Sequence, residues 1–345
     1  MKNNTRKKYD EWCSSQASEN KLNSSKLDGI SFSLTPSASQ TIVEKMQESA
    51  DLLKQINILE VDEQEEESIG LTSVPLSSTN NSTTEARQPV QGCTAETDRY
   101  RCEQVNTDTY VSYEKLDQWA GLDNFFGHME SQIYRRQALD VILTGIYGTH
   151  HAAKSDITAN PLLQDVNTGW LEKWRQNVPA RVVNGVSVSR RNNANIIESS
   201  GDYGTIDSLT MEAYQELLDP WQVGDSDLVV ICNLSLITGK YYPFVNNLGV
   251  TPNKELLAFA LQNENRQIGG LPVCPIPFFP QNAMLVTSLD NLSLYWQTGT
   301  HRRKISEEPE FNRISTYDSW NNAYVVEDYG KGCLIEGIIW GNDQR

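Results

Sequence analysis

The sequence predicts an α+β protein organised around one long helix, and three stretches carry that expectation. In residues 113–148, apolar side chains recur at Leu116, Trp119, Leu122, Phe126, Met129, Ile133, Leu139, Ile142 and Ile146. Gaps of three or four, with one of six, place them roughly on one helical stripe. Asp117, Asp123, Glu130, Arg135 and Arg136 fall largely elsewhere, and Gly121 and Gly127 are places for a bend. At 1.5 Å per residue such a helix would be roughly 50 Å long, the length of a strut. The second stretch begins with a strand pattern at Ile58–Val61 and ends with period-two alternation at Val105, Thr107, Thr109 and Val111. The long polar excursion between them suggests an extended hairpin, with a disordered insertion as the alternative. The third is the alternation of helices and strands between about 204 and 297, which suggests a compact α/β lobe.

The elements follow in order. Residues 1–32 are polar, with Lys2, Arg6, Lys7, Lys8, Lys21 and Lys26. Tyr9 and Trp12 can anchor a short helix, but Ser14 to Ser25 offers little to a core, so a weakly ordered, detachable segment is expected. A one-sided helix is expected from about Thr41 to Lys54. Thr41 and Glu44 have capping-box spacing, and Ile42, Met46, Leu53 and Ile56 lie in register. After the long helix, a second is expected over about Leu162 to Asn177, then a polar loop or hairpin at 184–201. A third spans Gly204 to Leu218 and ends at Pro220. Asp227 to Leu234 predicts a strand buried on both faces, and Thr251-Pro252 the start of a helix running to about Gln262. Pro272, Pro275, Pro277 and Pro280 exclude a central strand there. Further strands are expected at 283–287, 291–297, Tyr324 to Glu327 and Cys333 to Trp340.

Composition bounds the function. The 345 residues allow two or three packing units, and no apolar run approaches 18 residues, so no membrane span is expected. The start MKNNTRKKYDEW has no apolar stretch behind it, so no secretory signal is expected. Six cysteines are scattered without a CxxC pair, which implies free thiols; Cys232 and Cys333 lie in apolar runs as small core residues. A net charge of −16 argues against a nucleic-acid-binding surface over most of the molecule. Copies of the chain also repel at long range, so any self-assembly must rest on complementary patches and apolar contacts.

No catalytic constellation emerges. GxGxxG, P-loop, HExxH and GxSxG patterns are absent, so no cofactor or metal is expected. His150 and His151 follow a helix end, where the dipole favours them. The acidic cluster Glu60, Asp62, Glu63, Glu65, Glu66 and Glu67 lacks the order of a calcium loop and is expected to be a solvated face. A carboxylate hydrolase using Glu327 and Asp328 is disfavoured, because neighbours on a strand point to opposite faces. A surface-binding or decoration protein is the other alternative, suggested by the Ser/Thr-rich stretch at 72–92. The basic run His301-Arg302-Arg303-Lys304 suggests a salt-bridging patch facing an acidic neighbour rather than a DNA site.

The wording of the chain adds a resemblance. MQESADLLKQINI at 46–58 resembles the N-terminal arm of P2-type tailed-phage major capsid proteins. The similarity continues through YEKLDQWA, RRQALD, NPLLQDVNTGWLEKWR, GDYGTIDSL, DPW, DLVVI, KYYPFVN, IGGLPV, NAMLVTSLDNLSLYW, HRRKI and YVVEDYGKGCLIE. It covers nearly the whole chain in order and is weakest at 63–100 and 184–200.

The resemblance implies an HK97-type capsid fold and a subunit of the icosahedral head, in hexamers and pentamers, enclosing double-stranded DNA. It implies an N-terminal propeptide or scaffold-contacting segment at 1–32, an N-arm at 33–55 and an extended loop at 56–112. A peripheral domain with the spine helix would follow at 113–203, an axial domain at 204–297, and a return to the peripheral domain at 298–345. It further implies removal of the N-terminal segment by a phage protease linked to scaffolding, near Phe32 and Ser33. The implied partners are other copies of the chain, that scaffold and protease, a portal protein at one vertex, and packaged DNA through loose nonspecific contact, with no membrane. Subunit-interface candidates are Arg87, Arg135, Arg136, Arg302, Arg303 and Lys304. The implied location is the virion, after assembly in the bacterial cytoplasm.

Overall fold

The computed structural model describes residues 1–22, 28–67, 70–71, 93–94, 99–119, 125–191, 197–238, 240 and 266–341. Two six-stranded sheets organise the described residues. The first is built on the 14-residue strand β13 (Arg313–Val326). On one side of it runs β5 (Glu103–Ser112), antiparallel, from Arg313 opposite Ser112 to Asn322 opposite Glu103. On the other side β12 (Arg302–Glu308) pairs with residues 313–319, and β11 (Leu292–Gln297) with residues 322–326. At the flank, β1 (Ser31–Ser33) adds antiparallel to β12, and β2 (Asn57–Val61) adds parallel to β11. The second sheet has the order β8–β9–β7–β10–β14–β6, with β8 Gln267–Ile268, β9 Leu271–Pro275, β7 Leu228–Cys232, β10 Met284–Ser288, β14 Cys333–Glu336 and β6 Val182–Asn184.

The inward face of the first sheet is covered by helices. They are α1 (Asn3–Glu19), α2 (Pro36–Ser49), α3 (Asp51–Gln55), α4 (Tyr113–Trp119), α5 (Phe125–Tyr147) and α6 (Trp170–Asn177), which share one apolar cluster with the sheet. A second cluster joins α7 (Ile206–Leu217) to the other sheet through Leu209, Ala213, Val230, Met284 and Ile335.

Several expectations hold. α7 starts at Thr205, whose hydroxyl accepts from Ser208 N–H while Ser208 reaches back to the Thr205 N–H. β7 is a central strand, flanked by β9 and β10, with Val230 and Cys232 fully buried. Ile42, Met46, Leu53 and Ile56 are all buried, on one side of the arm.

Others are corrected. The N-terminal segment is not weakly ordered: α1 is a 17-residue helix whose Thr5, Tyr9, Cys13, Gln16 and Ala17 are buried. Thr5, Tyr9, Cys13 and Ala17 lie four apart, with Gln16 three after Cys13, a genuine stripe disguised by its polar and small members. The arm helix starts at Pro36, not Thr41. Thr35 caps it and proline occupies its first turn, leaving Thr41 inside with its hydroxyl on Ser37 O. It breaks at Ala50 before α3. Of the long helix, α4 and the 23-residue α5, about 34 Å long, are described, and residues 120–124 lie outside the described residues. α5 is not one-sided: residues 141–146 are buried without interruption where it passes between the arm, α6 and the sheet. The second helix is shorter than expected, because Leu163 adopts a left-handed conformation and Gly169 begins α6. β9 carries Pro272 and Pro275 yet lies next to the edge, which only the two-residue β8 covers.

Sheet membership also divides the chain differently from the expected boundaries. β11, expected in the axial lobe, belongs to the first sheet, while β14 leaves the C-terminal return and joins the second. β2 and β5 are not hairpin partners; they occupy opposite sides of the first sheet. The legs of the excursion are instead β3 (Glu65–Glu67) and β4 (Arg99–Arg101), with Glu65 opposite Arg101 and Glu67 opposite Arg99. Of the acidic cluster, Glu65 is thus in register with Arg101, whose guanidinium pairs with Glu103 at 3.0 Å, and Glu66 accepts from the Tyr100 hydroxyl at 3.2 Å. The helix expected from Thr251 and the Ser/Thr-rich stretch at 72–92 lie outside the described residues.

Helix α5 and α6 approach closely at Gly145, where an added Cβ would collide with the Trp170 ring. Gly145→Val is expected to cost about 1–3 kcal/mol through overpacking. The thermal unfolding midpoint reports this, and an unchanged midpoint would mean that the Trp170 ring has room to retreat.

Candidate functional site

The structure brings two separately predicted groups of residues into direct pairing. β1 carries Phe32 and Ser33, and β12 carries the basic run. Their register sets Ser31 opposite Lys304, Phe32 opposite Arg303 and Ser33 opposite Arg302. Alternation along β12 then splits the run. Arg302 is exposed and Lys304 half-buried on the outer face, while Arg303 turns inward at 4 % exposure.

Arg303 is therefore corrected as an interface candidate, because it is spent within its own chain. Its Nε and Nη2 donate to Asp318 at 2.7 and 2.9 Å, a two-pronged pairing on the neighbouring strand, and its Nη1 donates to Gln16 on α1 at 3.3 Å. Asp318 is equally buried. His301 lies 3.8 Å from Asp318 and 3.2 Å from the Ser39 hydroxyl of α2. Burial, more than any neighbouring charge, lowers the His301 pKa to about 4, with Asp318 opposing and Arg303 assisting.

α1 roofs this cluster and ties its surroundings together. Its start is held by Asp117 of α4, which accepts from Lys2 N–H at 2.8 Å and from the Thr5 hydroxyl at 2.6 Å. Arg6 pairs with Glu307 of β12 at 2.6 Å, and Tyr113 donates to the same carboxylate at 2.8 Å. Trp12 stacks on Phe126 with ring centroids 5.3 Å apart, and its N–H donates to Glu130 at 3.0 Å. Burial raises the Glu130 pKa, with the Trp12 N–H opposing. Burial also pushes the Cys13 thiol up to about 11, so it is a packing group.

The remaining candidates separate cleanly. Arg135 and Arg136 are exposed on α5, with Arg136 paired to Asp140 at 2.7 Å. Arg87 lies outside the described residues. His150 and His151 are held by loop contacts, to the Thr149 hydroxyl at 2.9 Å and to Val166 O at 2.7 Å. No cluster of metal-ligating side chains occurs among the described residues. Glu327 accepts from Tyr295 at 3.0 Å, and Asp328 caps a short turn through Gly330 N–H at 2.6 Å, so both acids are occupied structurally. Asp318, Gln16, Asp117, Glu130 and Glu307 were missed by sequence reasoning. Only Asp318 had a visible signal, a charged residue at an inward position of the run STYDSW.

A long helix against a sheet, an arm threaded along that sheet, and a separate α/β lobe define a shell subunit of the HK97-type fold. Residues 8–338 match the family described as phage major capsid protein, P2 family, and the chain belongs to it. It is 40 % identical over 347 residues to the capsid proteins of Escherichia phage P2, covering 99 % of this chain and 96 % of that one. It is 38 % identical to the major capsid protein of Serratia phage KSP20, covering 100 % and 99 %. A solved chain from the satellite phage P4 procapsid including the size determination (Sid) protein superposes with a TM-score of 0.79 at 36 % identity, covering 100 % of both. The protein is a major capsid protein, structural rather than enzymatic, that assembles into the icosahedral head of the virion.

His301 sets a pH window. The unfolded imidazole titrates near 6.5 and the folded one near 4. Between these values the unfolded chain takes up a proton that the folded chain refuses, so stability falls as pH drops from about 6.5 to about 4 and levels off below. Comparing denaturant midpoints at pH 7 and 4.5, the wild type is expected to lose about 2–3 kcal/mol more than His301→Asn. Equal losses would show that His301 does not titrate in this way.

Proposed function

We propose that the subunits assemble as hexamers and pentamers around a scaffold in the bacterial cytoplasm, and that residues 1–32 are then removed. The observation that carries the second step is the charge division at Phe32-Ser33. The segment before it holds six basic and four acidic residues, a net of +2, so its loss takes the chain from −16 to −18. Lys2 and Lys7 face outward on α1, where a scaffold carrying the protease can meet them. The processed interior is more repellent to DNA, which suits loose nonspecific contact with packaged duplex. A portal protein would occupy one vertex. Exposed Arg135, Arg136 and Arg302, half-buried Lys304, and Arg87 are the cations proposed to meet acidic patches of neighbouring copies. No described helix is long and apolar enough to cross a membrane.

Intact mass of the protein from full heads is expected to match a chain beginning near Ser33, and a chain that keeps residue 1 would reject the processing step. Residues 55–114 contain no lysine, so the extended loop has no amine for a covalent link to a neighbour. Denatured mature particles are accordingly expected to run as monomers on a gel; a ladder of covalent multimers would refute this.

A further inference from the structure

The strand that carries the processing bond is held from two sides. Along the sheet edge, the chain from Asp28 to Leu34 is zipped onto β12. Glu307 N–H donates to Asp28 Oδ1 at 2.7 Å and Gly29 N–H to Ile305 O at 2.8 Å. β1 then pairs with residues 302–304, and Leu34 N–H donates to His301 O at 2.9 Å. Phe32 and Leu34 are 7 % and 5 % exposed. A protease must draw the chain out as an extended strand; here Phe32 and Leu34 are buried against the sheet and face β12, while Ser31 and Ser33 are exposed on the outer side.

The inward side is closed by α1. Arg6 pairs with Glu307, Gln16 accepts from Arg303, and Asn20 Oδ1 accepts from Thr35 N–H at 3.4 Å. The ten residues from Arg6 to Gln16 rise about 15 Å in a helix. The four from Glu307 to Arg303 span about 13 Å in a strand. α1 therefore lies along β12. Phe32, Leu34 and Ile305 belong to the same apolar cluster as Tyr9, Cys13 and Ala17. A cavity of about 200 Å³, lined by Gln16, Glu19, Asn20, Leu34, Lys45 and Arg303 among others, opens beneath the C-terminal end of α1.

Resting on the processing step proposed above, we infer that α1 guards the bond whose cleavage releases it. While α1 is docked on β12 and α5, the 28–34 zipper stays closed and the Phe32-Ser33 amide is held in the sheet by the buried Phe32 and Leu34, although Ser33 itself is exposed. Undocking begins at the C-terminal turn of α1, frees β1 from the edge, and admits the protease. Hydrolysis then adds water across the amide, leaving a carboxylate on Phe32 and an amine on Ser33. Cutting follows the population of the undocked state.

Trp12→Ala tests this in the full-length chain, because it loosens α1 without touching β1 or β12. Cleavage by subtilisin between residues 28 and 34, located by mass, is expected to rise about tenfold or more. Amide exchange is expected to quicken in peptides covering α1 and 28–34 together, while peptides from 228–232 and 284–288 keep wild-type protection. If those also open, the milder Arg6→Ala replaces it, with a smaller rise expected. Faster exchange in α1 with unchanged cleavage and exchange at 28–34 overturns the guard. A virion chain that retains residue 1 rejects the processing step instead, and the coupling of α1 to 28–34 is still read by exchange.

Discussion

The paired charges of Arg303 and Asp318 impose the tightest constraint on this subunit. Both are almost wholly buried, at 4 % and 3 % exposure. Removing two such ions from water costs several kcal/mol each, offset only if geometry and further hydrogen bonds satisfy them. The forked pairing and Gln16 supply that, and a neutral His301 avoids a second buried positive charge. The cluster also needs a roof. α1, α2 and α5 provide it, so the polar contacts of an N-terminal helix become part of the stability of a sheet whose central strands come from the far end of the chain.

That arrangement explains how the arm is anchored. β1 and β2 flank β12 and β11, and α2 and α3 bridge them. An open sheet edge is a template for unwanted pairing. Here the edge is covered by β1 and β2, two short strands that flank the arm in sequence. The opposite edge is β5 itself, a ten-residue strand that pairs only with β13 among the described residues and continues from the β3–β4 ribbon.

The legible parts of the sequence were those with one dominant period. The β7 run, the α7 stripe and the apolar row of the arm could be placed because burial there is one-sided or complete. What failed shares a physical cause. α1 was hidden because Thr5, Cys13, Gln16 and Ala17 fill a buried stripe with small and polar side chains. α5 lost its one-sidedness because its last turns are surrounded. The Thr41 capping box competed with Thr35-Pro36, where proline sets the first turn without losing a hydrogen bond. Sheet membership was invisible because β11 and β14 read alike as strands, and only tertiary pairing assigns each to its sheet. In the basic run, alternation was available and would have turned either Arg303 or its two neighbours inward; the sequence does not say which until Asp318 is seen across the ladder.

Shell assembly from a chain of net charge −16 follows from the same split. At physiological ionic strength, charges beyond about 8 Å are largely screened. Long-range repulsion then slows indiscriminate encounter but does not forbid close docking. What decides docking is the local pattern, and the outer face of the first sheet sets Arg302 and Lys304 beside Asp108, Tyr317 and Glu308. With Arg303 turned inward to Asp318, that face carries charges of both signs. The buried pair thus shapes the surface as much as the core.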